Sequence, residues 1–472
     1  MSDLLQFTDG LQTTTSTFLR KEGQLEKSIN VHGDNVGILT KRLGYSKFGD
    51  TVSSGNSITG LYSYADIGGG TTRLFAFANG TLKYYNGTVW TSITSLTPTT
   101  AKVEMRVFLD QLFVFGSDGG TYVTPTNIDG TTVSTATNLT SAPKGKFVEV
   151  FLDQLYVANV EVSSVRYPSR VYRSSLPDTG GTLITWPSTN YESILTNNGE
   201  ELTGMHTNKM LNQLLLFKDT SCHAWDGFRI RDIGNVGTNA HRSIQTINFT
   251  TFFYSQVRRA VYAYSGVQPQ SISRGVKKWI RGIQDPTAVH AGQDEDAYKL
   301  YLGTCVVDGE TYTNCEFRYS VADNTVTIYS YHDTFKIYAE HKVDGFTRLY
   351  GGASDGDVHQ MAIEGDAVYS DDSNPIAAEF MTKALYLDKP SNKKFVDRAA
   401  LYTINAQNLQ GRMRERGKDW STYFSIDKPE DFVNLSPNDS NFIQFHFSEN
   451  STTSPFQFEG LSFTGGETTR YA

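Results

Sequence analysis

The chain has 472 residues, of which 38% are hydrophobic and only 19% charged, and its 42 Lys and Arg against 50 Asp and Glu leave a formal charge of −8. That length exceeds one ordinary domain, 28 Phe and 26 Tyr exclude a disordered chain, and the acidic balance argues against a basic nucleic-acid clamp. No run reaches the ~18 apolar residues of a membrane span, and three cysteines (Cys222, Cys305 and Cys315) are too few for a disulfide scaffold.

Thr, Ser, Asn, Gly and Tyr replace the missing charge, a mix that favours strands joined by tight turns over long helices. The opening Met1-Ser-Asp-Leu-Leu-Gln-Phe7 has no basic segment followed by an apolar one, so synthesis and assembly in a reducing cytoplasm are expected. Residues 1–50 carry six basic and six acidic side chains, with apolar residues singly or in pairs (Phe18-Leu19, Leu25, Ile29, Val31, Tyr45). They read as an extended arm, stable only when packed on the rest of the chain or on a neighbouring subunit.

From residue 51 the pattern is all-β. Leu61–Tyr64, Arg73–Ala78, Leu82–Tyr85 and Val89–Ile93 are four short strand candidates, and Asn79-Gly80 and Asn86-Gly87 between them signal hairpin turns. Phe108-Leu-Asp-Gln-Leu-Phe-Val-Phe115 then recurs as Phe151-Leu-Asp-Gln-Leu-Tyr-Val-Ala158, 43 residues later, with a looser copy at Met210-Leu-Asn-Gln-Leu-Leu-Leu-Phe217. Each copy reads as a strand end, a tight turn at Asp-Gln or Asn-Gln, and an apolar strand. A period near 40–45 residues is that of a four-stranded propeller blade. Residues 51–375 are therefore expected to form a β-propeller of about six blades, with roughly five to seven open, tandem hairpins in a sandwich being the alternative.

Composition shifts at Ser370-Asp-Asp-Ser-Asn-Pro375. Longer strand candidates follow at Phe380–Leu387, Asp397–Ile404, Leu409–Arg414, Phe442–Phe447 and Phe458–Phe463, the fourth alternating with one apolar face. Residues 376–472 read as a C-terminal β-sandwich.

Two phrases carry a resemblance. Phe7-Thr-Asp-Gly-Leu11 with Gly37-Ile-Leu-Thr-Lys-Arg-Leu-Gly-Tyr45, and Leu349-Tyr-Gly-Gly-Ala-Ser-Asp-Gly-Asp-Val-His-Gln-Met361 with Ser370-Asp-Asp-Ser-Asn-Pro-Ile376, are similar to the entry segment and last blade of tail proteins from tailed bacteriophages. The chain departs from that pattern at Asp9 and Ser373 (Gly in the family), Leu43 (Pro) and His359 (Tyr). The resemblance implies a propeller-bearing virion protein of the tail hub, nozzle or DNA-stabilisation kind, assembled in the host bacterial cytoplasm. It implies a homo-oligomeric ring, a hexamer being favoured, that contacts portal, adaptor and other tail proteins and touches viral DNA only transiently and non-specifically. On this reading Phe7, Gly10, Leu11, Lys41, Arg42, Gly44 and Tyr45 belong to the assembly arm. Loss of residues 1–45 would then leave a folded monomer that fails to join particles.

Other chemistry has little support. Ser117-Asp-Gly-Gly-Thr-Tyr122 and Ser354-Asp-Gly-Asp-Val-His359 resemble sialidase Asp-box turns but read better as Gly-tipped hairpins. Asp355, Asp357, Asp366, Asp371 and Asp372, with Asp294-Glu-Asp296, lack the spacing that surrounds a cation and read as solvated loops. The nine His show no metal spacing. Neither a cofactor nor an enzymatic activity is expected. The cysteines are read as buried thiols packing as small hydrophobes. One basic cluster, Arg258, Arg259, Arg274, Lys277, Lys278 and Arg281, interleaved with Tyr262, Tyr264 and Trp279, could meet an acidic subunit or phosphates. The expected function is structural, retention and then conduction of the genome. The alternatives are a propeller binding host glycans or receptors at the tail tip and, with less support, a polysaccharide hydrolase.

Overall fold

Turn chemistry sets the grain of the fold. The computed structural model describes residues 4–467, apart from residues 8, 15, 17–18, 22, 34–36, 67, 69, 95–101, 119–120, 131–132, 134, 179–183, 196–197, 295–296, 344, 386–393, 407, 416–417, 427, 435–441 and 454. Asn79 and Gly80 both take positive φ (46° and 73°) and join Thr72–Ala78 to Thr81–Tyr85 in a two-residue hairpin. In the repeated phrase the turn lies one residue earlier than expected. Leu109 and Asp110 carry the positive φ values (52° and 54°), and Phe108 pairs with Gln111. Leu152 and Asp153 repeat this geometry (46° and 55°), with Phe151 opposite Gln154. The third copy has a longer loop, in which Asn212 N donates to the Lys209 carbonyl (3.2 Å) between the paired Asn208 and Gln213.

These three hairpins occupy the same place in three successive sheets. Among the described residues, consecutive antiparallel sheets span 58–92, 103–138, 144–193, 204–234, 245–271 and 290–330; the second has an extra short strand, Thr121–Tyr122. A seventh set joins Phe335–Val343, Phe346–Ala353 and Val358–Met361 to a strand from the opposite end of the chain. The leader contributes four strands: β1 (Leu25–Ile29), β2 (Val31–Gly33), β3 (Leu39–Lys41) and β4 (Tyr45–Lys47). It is β4 that completes the seventh sheet, pairing Tyr45 with Met361 and Lys47 with His359. The seven sets fall within the expected five to seven, and the last borrows a strand from the opposite end of the chain.

The first strands of consecutive sheets lie side by side. Ile58–Ala65 touches Val103–Phe108, which touches Lys144–Phe151, and so to Gly204–Asn208. The hydrogen bond between His206 Nε2 and Thr246 Oγ1 (2.9 Å) links the fourth sheet to the fifth. Gln245–Ile247 meets His290–Asp294, then Phe335–Val343, and that strand returns to Ile58–Ala65. The order closes on itself.

The second strands of these sheets, such as Thr72–Ala78, Gln154–Val162, Gln213–Phe217 and Thr250–Ser255, are largely buried on both faces, which accounts for unbroken apolar runs. In Gln213–Phe217, Leu214 and Leu216 pack with Tyr156 and Ala158 of the third sheet, while Leu215 and Phe217 pack with Phe253 of the fifth. Full burial of such a side chain contributes about 1.5–3 kcal/mol. Cys222, Cys305 and Cys315 are buried free thiols in these layers.

Beyond residue 370 two layers share one core, the first continuous through β1 and β4 with the sixth and seventh sets in one 14-stranded sheet. Asn374–Thr382, Leu409–Glu415, Phe424–Ile426 and Ile443–Ser451 belong to one; β2, β3, Lys394–Ile404, Glu430–Asn434 and Gln457–Glu467 form the other. Phe380, Leu401, Phe445, Phe447 and Phe458 meet Phe7, Leu25, Val31 and Leu39 of the leader inside it. The strand Ile443–Ser451 starts one residue later than expected, and Gln444 and His446, facing away, bond the Thr382 carbonyl (2.7 Å) and Glu379 (2.9 Å). Phe18, Leu387 and the tip of the turn at 117–122 fall outside the described residues.

Candidate functional site: the leader junction

The leader crosses from the second core to the seventh sheet through a buried polar node. Asn30, with φ of 59°, turns the chain between β1 and β2. Its Oδ1 accepts from Arg42 Nε (2.8 Å) and Ser330 N (2.8 Å), and its Nδ2 donates to the Ala377 carbonyl (2.7 Å). Arg42 grips Asp371 in a two-pronged pair, NH1 to Oδ1 at 2.7 Å and NH2 to Oδ2 at 2.6 Å. NH1 also donates to the Leu43 carbonyl (3.0 Å) and NH2 to the Ser330 carbonyl (2.7 Å). All five guanidinium donors are thereby used, and the group lies 4.4 Å from the Tyr331 ring centre. Burial works against the cation, but the adjoining Asp371 carboxylate outweighs it and holds the Arg42 pKa above its ordinary value.

The flanking residues close the same node. Lys41 Nζ meets Glu449 Oε2 at 2.8 Å and the Ser451 carbonyl at 2.9 Å. Burial lowers the Lys41 pKa despite Glu449. At Gly44 a Cβ would fall 1.8 Å from the Ser370 carbonyl oxygen, so only glycine lets the two backbones approach. Tyr45 donates its hydroxyl to Asp333 Oδ2 (2.9 Å), accepts from Asp333 N (3.0 Å), and sets its ring edge-on to Phe335 (5.3 Å) and His359 (5.0 Å).

The seven arm residues therefore all contact their own chain. Lys41, Arg42, Gly44 and Tyr45 come together at the node, whereas Phe7 lies in the second core and Leu11 against the sixth sheet. Gly10, with φ of 75°, lies over Thr325 and Val326. One reading is corrected. Asp371, taken as a solvated loop carboxylate, is 2% exposed, because Arg42 needs a buried counter-charge. Its neighbours differ: Asp357 pairs with Lys47 (2.7 Å) and Asp366 with Arg348. Glu295 and Asp296 fall outside the described residues, among which no three His, Cys, Asp or Glu side chains group as metal ligands. Asn30, Asp333 and Glu449 carry much of the node and were not singled out from sequence; the charge match of Lys41-Arg42 with Asp371 was the available signal.

The six cations of the basic cluster are all exposed. Arg258 and Arg259 sit at a turn of the fifth sheet, and Arg274, Lys277, Lys278 and Arg281 on or beside the short helix α1 (Lys277–Gly282). Lys278 pairs with Asp308 (2.8 Å), and Arg258 donates to the Asn235 carbonyl (3.2 Å). Tyr264 and Trp279, read as interleaved contact residues, are instead core: Trp279 packs on Tyr312 (4.8 Å) and Tyr264 donates to Gln213 (2.9 Å).

Where the first strands of the seven sheets converge lies a cavity of about 540 Å³. Polar contacts span it: Arg242 Nε to Glu104 Oε1 at 3.1 Å, and Gln245 Nε2 to Glu340 Oε1 at 3.1 Å. Burial pushes the Glu340 carboxyl up to about 7. Burial would also raise Glu149, but Arg106 (2.5 Å) and His206 hold it down at about 2.

No family model matches the chain, and no curated protein does. Among solved structures, the extracellular domain of a putative one-component system from B. thetaiotaomicron is similar at a TM-score of 0.46 and 10% identity, over 92% of this chain. This chain spans 62% of that one's length.

Proposed function

We propose that the seven sheets are the blades of a β-propeller closed by β4, that the C-terminal unit is a β-sandwich, and that the chain is a structural, ring-forming subunit of a bacteriophage tail hub or nozzle. One observation carries this reading. Parts of the two phrases that resemble tail proteins, hundreds of residues apart, meet in one buried node: Arg42 on Asp371, Gly44 against Ser370, and Tyr45 beside Met361. Lys41–Tyr45 of the first phrase and Met361 and Ser370–Asp371 of the second thus share one structural task, joining leader, last sheet and C-terminal unit.

The subunit does not conduct a genome through its own axis, since the axial cavity is small and crossed by Arg242–Glu104. A conduit has to run through a ring of subunits, each presenting two different faces to its neighbours. Native mass, alone and with portal and adaptor proteins, tests the proposal: a ring of about six subunits is expected, and a monomer under both conditions overturns it. The second reading, a host-surface binder, draws on Phe228, 95% exposed at a hairpin tip. Selective hits on a glycan array would favour it.

A further inference from the structure

We propose that the cavity between the sixth sheet, the leader and the C-terminal unit binds an oxyanion, a carboxylate or a phosphate group, through Arg318. The cavity holds about 500 Å³ and is walled by His32, Lys299, Arg318 and Tyr329 among others. Lys299 and Arg318 stand directly opposite each other on adjacent antiparallel strands. Like charges in that position destabilise a sheet unless something of opposite sign is shared between them.

Asp294 and Glu316 both act on Lys299 and Arg318, but the direct contact among the described residues is made on one side. Asp294 pairs with Lys299 at 2.6 Å. Of the other charges around the cavity, Arg42 is taken by Asp371, Lys41 by Glu449 and Asp366 by Arg348, while Asp323, which accepts from Ser320 Oγ at 2.8 Å, and Glu364 also line it. Glu316, two residues along the strand, accepts the hydroxyls of Tyr331 (2.9 Å) and Tyr338 (2.8 Å), and burial raises its pKa. Arg318 is left half-buried, with neither a hydrogen-bond acceptor nor an ion-pair partner among the described residues. A guanidinium fork in that state matches a planar carboxylate or a phosphate.

His32 adds a neutral donor. Burial, with Arg318 and Lys299 near by, holds its pKa at about 3, and its Nδ1 lies 3.0 Å from the Tyr329 hydroxyl. When Nδ1 accepts from that hydroxyl, the ring proton is on Nε2, a second neutral hydrogen-bond donor.

The site does not depend on the virion reading. Calorimetric titration of the full chain with inorganic phosphate and, separately, with acetate, at ionic strength fixed with chloride, tests it. Saturable binding of at least one anion is expected, weakened about tenfold or more in Arg318→Gln by loss of a charge-assisted contact and less in Arg318→Lys. Phosphate alone would point to a phosphate ester, acetate alone to an acidic protein segment. Binding no stronger than chloride, or unchanged in Arg318→Gln, overturns the proposal. Should that variant fold poorly, protection of wild-type Arg318 from phenylglyoxal by the same anions decides: protection supports the site and its absence refutes it.

Discussion

Arg42→Met tests the claim that the leader is locked in place by one buried ion pair. The substitution keeps the aliphatic stem and removes five donors. Asp371, 2% exposed, would keep one named donor, His332 N at 3.2 Å. Removing one partner of a buried, hydrogen-bonded pair costs about 3–5 kcal/mol, because the other charge stays behind without compensation. Asp371→Leu should cost a similar amount by stranding the guanidinium. The double variant strands no charge, but it leaves Asn30 Oδ1 and the Ser330 and Leu43 carbonyls short of a donor, so it should not return to wild type. We expect it to cost less than the sum of the singles by about 2 kcal/mol or more. Urea midpoints and pulse proteolysis within residues 25–47 supply the four corners of the cycle. Additivity within about 0.5 kcal/mol would refute the lock.

Gly44→Ala should prevent the junction from closing, with the leader cut rapidly by protease, whereas Gly365→Ala, at φ of 95° with open space around it, should cost only about 1 kcal/mol. Burial holds His32 and His290 at about 3 and His341 at about 4, below their ordinary value of 6.5. Unfolding therefore takes up protons between those values, and stability should fall on the order of 1–3 kcal/mol per pH unit as pH drops through 5. Glu340, raised by burial to about 7, opposes this, its contribution being lost as pH rises through that value; a urea midpoint flat from pH 7 to 5 would contradict the assignment. His359→Phe should stabilise by about 1 kcal/mol in the same assay, because both ring nitrogens are buried without a hydrogen bond.

Local chemistry made much of the sheet architecture legible. A phrase repeated after 43 residues placed equivalent hairpins in the second and third sheets, and Asn-Gly marked a turn where both residues take positive φ. The turn in the repeat was misplaced by one residue because Leu109 and Leu152 occupy positive φ, which their side chains disfavour and only the surrounding pairing imposes. The node was legible in residues but not in partners. Lys41-Arg42 and Asp371 were both noticed, the first as an arm and the second as a loop. A buried pair between residues more than 300 positions apart leaves no spacing to read. Arg318 had no signal at all, since its opposition to Lys299 depends on register across a hairpin.

The leader's pairing also changes what truncation should do. β1 lies between Asn374–Thr382 and Ile328 of the sixth sheet, while β4 caps the seventh sheet. Removing residues 1–47 deletes Phe7, Leu25, Val31 and Leu39 from the second core and leaves Val358–Met361 an open edge. Losing four buried apolar side chains costs several kcal/mol on its own, at about 1.5–3 each. A truncated chain should therefore aggregate or lose its C-terminal unit to protease, not persist as a folded monomer. The same topology sets an order of events. β4 cannot pair until residues 358–361 exist, and contacts of such separation form late because the intervening loop entropy has to be met first. The sheets from 58 to 330 can form before the leader docks, so the node should be the last part to gain protection from hydrogen exchange during refolding. Protection of residues 25–47 before the first sheet would show that the leader nucleates the fold instead of closing it.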